Sequence, residues 1–286
     1  MDFDIVVGNP PYNDDLYLSF VTLGHAISTK CSIWITPAKW QGKSGWMNDY
    51  FRSSKVPYIS KIVYFPDVVD VFDIDSQGGV AYYRLDKQPH DMKDLSVIRG
   101  RQKAIESSNE KIDIRLSDGT CLLYGSKIRD ILDKTAGGPK LKCMNSAVDG
   151  QYNVKITNTY SEKSLVTTNG TAYVTISPYV EKDTFKKNSD TSFLETFVSK
   201  SDADSYVSYL QTKFIRFLFL IAKISLHMQS KQAWRFIPDP GKFDHIYTDD
   251  ELYRKYKITD DERAMIEAII KPRSEYKKIE RKFICE

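Results

Sequence analysis

Asp4-Ile5-Val6-Val7-Gly8-Asn9-Pro10-Pro11-Tyr12 is the stretch on which the reading of this chain turns. Its first half is a short apolar run of the kind that forms a strand buried on both faces. It ends abruptly in Asn9-Pro10-Pro11-Tyr12. The Asn9 side-chain oxygen and the Pro10 carbonyl can both accept hydrogen bonds from one exocyclic –NH2. Pro10 and Pro11 have no N–H to compete and keep the backbone stiff. Tyr12 adds a flat face on which a base can stack. A plain strand ending in a Pro-rich turn would use the same residues, so the context decides between the two.

Downstream, residues 3–87 alternate strand and helix signals. Asn13, Asp14 and Asp15 are capping residues for a helix whose apolar positions Leu16, Phe20, Leu23 and Ile27 share one face. Residues 31–36 read as the next strand, closed by Pro37, and a second helix is expected over residues 45–53. Residues 61–65 and 79–85 are further strands. This order predicts a largely parallel sheet with crossover helices and an antiparallel final strand.

From about residue 88 the texture changes. Residues 111–116, 154–157 and 172–176 look like strands of a separate α+β unit, with a helix over residues 122–132. After about residue 200 the chain reads as helical. Residues 201–228 form one long helix or a broken pair, and Thr248 and Thr259 each open a capping box with Glu251 and Glu262. The division expected is therefore 1–87, 88–200 and 201–286.

Composition narrows the classes. With 286 residues, 41% hydrophobic and 28% charged, the chain can bury a substantial core. Its net charge of +3 gives no strong global footprint for a polyanion. Cys31, Cys121, Cys143 and Cys285 form no C-x-x-C pair, and the four histidines lack metal-ligand spacing, so neither disulfides nor a metal is expected. The most apolar stretch, residues 214–228, is too short for a membrane span and includes Arg216, Lys223 and His227. With no signal-peptide pattern at the N-terminus, a cytoplasmic protein is expected.

The nine-residue stretch resembles the catalytic motif of amino-group methyltransferases, above all those that methylate N6 of adenine in DNA within restriction–modification systems. Ile33-Trp34-Ile35-Thr36-Pro37-Ala38-Lys39-Trp40 is similar to the strand and loop that follow their catalytic strand. Val71-Phe72 and Gly78-Gly79-Val80-Ala81-Tyr82-Tyr83 resemble the hairpin region closing their catalytic domain. Phe236-Ile237-Pro238 and Tyr247-Thr248-Asp249-Asp250-Glu251-Leu252-Tyr253 resemble the tail of the same group. The likeness covers roughly residues 2–87 and 205–271.

The resemblance implies a fold: part of a Rossmann-like methyltransferase sheet (1–87), then an α+β DNA-recognition region (88–200), then a helical C-terminal region (201–286). It also implies roles. Asn9 and the Pro10 carbonyl, with Pro11 stiffening the turn, would hold adenine N6 as it attacks a methyl sulfonium. Tyr12 would stack on a base flipped out of double-stranded DNA, and Phe72 is the candidate second aromatic. Most of the rate would come from alignment, without a tuned general base.

S-adenosylmethionine is the implied cofactor, yet the family's Gly-rich cofactor turn is missing: no G-x-G occurs anywhere. The expectation is therefore the catalytic-motif and DNA-recognition portion of an adenine-specific methyltransferase. It would be inactive alone and completed by a second chain or a missing segment bearing the cofactor motif. The rival expectation is a DNA-binding or specificity module that has lost the chemistry.

Overall fold

A computed structural model describes residues 2–13, 16–41, 58–66, 68, 71–72, 79–97, 108–116, 121–142, 150–157, 178–181, 191–222 and 234–270. The architecture is mixed α/β. The chain divides into two compact units, residues 1–129 and 130–286. The helix expected over residues 45–53 and the strand expected over 172–176 lie outside the described residues.

The first unit is built on a six-stranded mixed sheet. Strand β1 (Phe3–Gly8) leads through helix α1 (Leu16–Ile27) to β2 (Ser28–Pro37), followed by β3 (Ile59–Phe65), β4 (Val80–Asp86), β5 (Lys93–Val97) and β6 (Ser108–Ile112). Their order across the sheet is β1-β2-β4-β3-β5-β6. β1 and β2 run parallel, with Val7 beside Ile33 and Gly8 beside Trp34. β4 runs antiparallel to both β2 and β3, as the final strand of the 3–87 segment was expected to. The sheet does not stop at residue 87, because β5 joins β3 in parallel and β6 pairs with β5.

Pleating sends alternate residues to opposite faces. On one face lie Trp34, Thr36, Ile62, Tyr64, Ala81, Tyr83, Leu85 and Leu95, all buried. Trp40 closes edge-on against Tyr83 at 6.4 Å between ring centres. Gln41 stitches this layer together, accepting from the Leu123 N–H at 2.9 Å and donating to the Ala38 carbonyl at 3.2 Å. α1 covers the same face over β1 and β2. A Cβ on Gly24 would come within 2.5 Å of the Trp34 ring and 3.0 Å of Val6, and a Cβ on Gly8 within 2.4 Å of that ring. The two glycines let one indole wedge between helix and strand.

Two expectations fail here. β1 is not buried on both faces: it is an edge strand, and Phe3, Ile5 and Val7 are exposed. Nor does α1 bury its Leu16, Phe20 and Leu23 stripe. It packs through Tyr17, Leu18, Val21, Gly24 and His25 and leaves that stripe in solvent. The reason is steric: only the Gly24 side is flat enough to rest on Trp34 and Val6.

The boundary between the units falls inside helix α2 (Ser126–Ala136). The second unit has a three-stranded antiparallel sheet of β7 (Tyr152–Thr157), β8 (Pro178–Glu181) and β9 (Thr191–Phe197), with β7 central. Helices α3 (Lys200–Gln211) and α4 (Lys213–Ala222) form a pair broken at Thr212. Residues 214–222 are all buried, Arg216 included. The Asp249 carboxylate accepts from the Phe214 N–H at 2.9 Å and so caps α4.

Thr248 and Thr259 cap α5 (Asp249–Lys255) and α6 (Asp260–Ile269). The capping box is complete only at Thr259, since Glu251 turns instead to His245 at 2.9 Å. Glu262 takes 2.6 and 2.7 Å bonds from the Lys134 ammonium and a 2.7 Å bond from the Thr259 N–H.

Two outcomes test this packing. Gly24→Ala forces a methyl into the Trp34 ring and should lower stability by about 1–3 kcal/mol, read from the denaturant midpoint. An unchanged midpoint would mean that Trp34 does not sit there. Burial alone would raise the Glu262 carboxyl, but Lys134 and Thr259 outweigh it and hold it below the ordinary carboxylate value. Its contribution should be complete above the unfolded-state value and fade as pH falls through the depressed folded-state one. Glu262→Ala should cost roughly 1–3 kcal/mol at neutral pH, with the difference from the parent shrinking in acid.

Candidate functional site

β1 carries the chain to the end of the sheet, and residues 9–12 leave it there. Wedged beneath Gly8, the Trp34 ring fixes where the strand stops. Pro10 is buried and Pro11 exposed, so the first ring anchors the turn and the second lies outward. Asn9 is exposed, which leaves its amide oxygen open to an incoming donor. The Asn13 carbonyl then accepts from the Leu16 N–H at 3.1 Å and starts α1.

Tyr12 is half-buried. Its hydroxyl is buried and has no hydrogen-bond partner among the described residues. The phenol is pushed up to about 12, by burial first and by the neighbouring Tyr82 second. Tyr82 belongs to the sheet face turned away from α1, since it pairs with Ile35 rather than with Trp34. That face also carries Phe65, edge-on to Tyr82 at 5.8 Å between ring centres.

Phe72 reaches the same face by another route. Its N–H donates to the Val68 carbonyl at 2.9 Å, and its half-buried ring packs on the cluster of Ile35, Val68 and Val80. Phe72 and Tyr82 thus share one side of the sheet, and Tyr82 is the one that influences Tyr12. Gly79 holds this corner in place. It has φ +72, where a Cβ would meet the Phe65 carbonyl oxygen at 2.4 Å, and its own carbonyl accepts from the Ala38 N–H at 3.0 Å.

Sequence reasoning did not single out Tyr82. Alternation within Val80-Ala81-Tyr82-Tyr83 points one tyrosine to each face, but only the register with β2 tells which is which. Tyr83 is the buried one, and its hydroxyl accepts from Thr36 Oγ1 at 3.3 Å. Trp34 and Trp40 are core residues, as packing logic favours.

The turn that follows β1 does not fit S-adenosylmethionine. A cofactor cradle needs a glycine whose missing side chain leaves room for the ligand. At Gly8, where β1 turns toward α1, that room is filled by Trp34. Gly137, Gly138, Gly150 and Gly241 have open space around them but are not in such a turn. Among the described residues no group of His, Cys, Asp and Glu is placed to hold a metal ion, and no helix is long and apolar enough to cross a membrane. No protein-family model matches the chain, and no curated protein matches it.

The unpaired Tyr12 hydroxyl yields a prediction. An unsatisfied buried hydroxyl costs on the order of 1 kcal/mol or more. Tyr12→Phe should therefore leave the free protein as stable as the parent or up to about 1 kcal/mol more stable. A clear fall in melting temperature would show that the hydroxyl is bonded after all.

Proposed function

We propose that this chain is the acceptor-binding portion of an S-adenosylmethionine-dependent DNA adenine-N6 methyltransferase of the restriction–modification type. The observation that carries the reading is an exposed Asn9 with a half-buried Tyr12 just after β1, Tyr12 lying within electrostatic reach of Tyr82. An adenine extruded from double-stranded DNA has both features this arrangement recognises: a planar ring and an exocyclic –NH2 that donates two hydrogen bonds.

In this reading Asn9 Oδ1 and the Pro10 carbonyl accept those two bonds. The two acceptors raise electron density on the nitrogen and fix its orientation. It attacks the methyl sulfonium carbon as the carbon–sulfur bond breaks, and the proton on the methylated nitrogen is lost afterwards. Pro11 keeps the two acceptors from closing on a backbone N–H of their own. Tyr12 stacks on the base, and Tyr82 supports the stack from the sheet. Stacking on an aromatic side chain contributes roughly 1–3 kcal/mol per base, and alignment of the amine supplies the catalytic advantage. The methyl donor is held by residues other than those described, so this portion works as half of a larger site.

The test is transfer of a labelled methyl group from S-adenosylmethionine to DNA, with this chain alone and with a cofactor-binding half added. The reading expects no transfer alone, N6-methyladenine with the added half, and loss of at least about 100-fold for Asn9→Ala. DNA binding with no transfer under either condition would instead favour a specificity module.

A further inference from the structure

The first unit is open on one side in a way its other side is not. β1 is an edge strand, and its six residues include no Lys and no Pro. The one charge, Asp4, is held by Lys30 at 2.9 Å and by Thr29 at 3.1 Å. At the opposite edge, β6 carries Asn109, Glu110 and Lys111, the polar residues that blunt a strand against pairing. Among the described residues the β1 edge has no such protection.

α1 overhangs that bare edge. On one flank of the helix His25 meets Ser32 of β2 at 3.2 Å. Next round the helix, Gly24 sits on Val6 of β1 and on Trp34. At about 100° per residue, the following sector carries Leu16, Phe20 and Leu23, beyond β1. α1 has no Asp, Glu, Lys or Arg in its twelve residues. Below the edge, on the face away from α1, lie Phe3, Ile5 and Val7. These six side chains are between 45% and 70% exposed, and together they offer on the order of 500 Å² of apolar surface. That is most of one partner's share, ~800 Å², of a standard specific interface. The open face continues across Ile33 and Val63, both half-exposed.

Edge, overhang and open face correspond to the three layers of an α/β sandwich, and strands paired in parallel are normally covered on both faces. A second copy of the chain, turned about an axis normal to the sheet, would pair the edges and bring the α1 stripes together. It would leave the open face bare on both copies. A polypeptide that brings a strand with helices on both sides covers all three parts. The absence of charge excludes a nucleic acid as the occupant.

We infer that the β1 edge, between the Leu16, Phe20 and Leu23 stripe above and Phe3, Ile5 and Val7 below, is the docking seam for a second polypeptide that adds an apolar β-strand to the sheet. On the methyltransferase reading, on which the partner's identity rests, that polypeptide is the cofactor-binding half.

The probe is the separately expressed cofactor-binding half of an N-P-P-Y adenine methyltransferase, mixed with the full chain without DNA or methyl donor. Sedimentation and hydrogen exchange are the readouts. A 1:1 complex with the amides of residues 3–8 newly protected supports the seam. So does a loss of affinity of about tenfold or more for Val7→Lys and for Leu23→Glu; both positions are exposed, and circular dichroism confirms that the variants fold. No complex, a complex without protection at residues 3–8, or a homodimer of the chain alone that Val7→Lys splits would each overturn it. Because no transfer is measured, complex formation at β1 with no later methylation would sink the enzymatic reading and leave the seam standing.

Discussion

One indole ring organises the N-terminal unit. Trp34 occupies the space of two absent methyl groups, at Gly8 of β1 and Gly24 of α1, where any Cβ would lie within about 2.5 Å of it. That wedge sets the β1–α1–β2 crossover: where the first strand ends, which side of the helix is buried, and the register that places Gly8 beside Trp34. The turn at residues 9–12 inherits its position from it. With Pro10 buried and the Trp34 ring under Gly8, Asn9 and Tyr12 are held by covalent stiffness and packing rather than by hydrogen bonds of their own. The exposed Asn9 and the half-buried Tyr12 are thereby held just beyond the strand end.

The proposed chemistry follows from that economy of bonds. Groups that satisfy one another are slow to exchange partners, whereas Asn9 is exposed to solvent and the buried Tyr12 hydroxyl has no partner among the described residues. Pre-organisation of this kind is how a site gains selectivity without reorganising during reaction. The same wedge has a cost elsewhere. At the end of β1, Trp34 fills the space in which a cofactor would approach the Gly8 backbone.

Local features of the chain were legible wherever one residue type dictates the backbone. The apolar run before Asn9 marked β1, Pro37 marked the end of β2, and Thr248 and Thr259 marked two helix starts. The exposed face of α1 was not legible, because a twelve-residue helix with no charged side chain has no polar side to identify solvent. Tyr17, Leu18 and Val21 compete equally with Leu16, Phe20 and Leu23, and only the glycine facing Trp34 breaks the tie. The extension of the sheet through β5 and β6 depends on pairings such as Lys61 with Asp94 and Asp94 with Lys111, which no local pattern encodes. Within the candidate site, residues 9–12 were legible from their chemistry. The Tyr82 ring that faces them was not, since its side of the sheet is fixed by the strand next to it.

On the proposed reading the turn after β1 recognises an exocyclic amine through two acceptors and an aromatic plate. That reading is tested most directly by NMR on the chain labelled at Asn side-chain amides and Tyr rings, titrated with adenosine and with N6,N6-dimethyladenosine. Adenosine should shift the Asn9 amide and the Tyr12 and Tyr82 rings together, and Asn9→Asp should abolish none of the ring shifts. The dimethylated nucleoside, which can stack but has no N–H to donate, should shift the rings and leave Asn9 unmoved. Equal perturbation of Asn9 by both nucleosides, or none by either, would contradict the account.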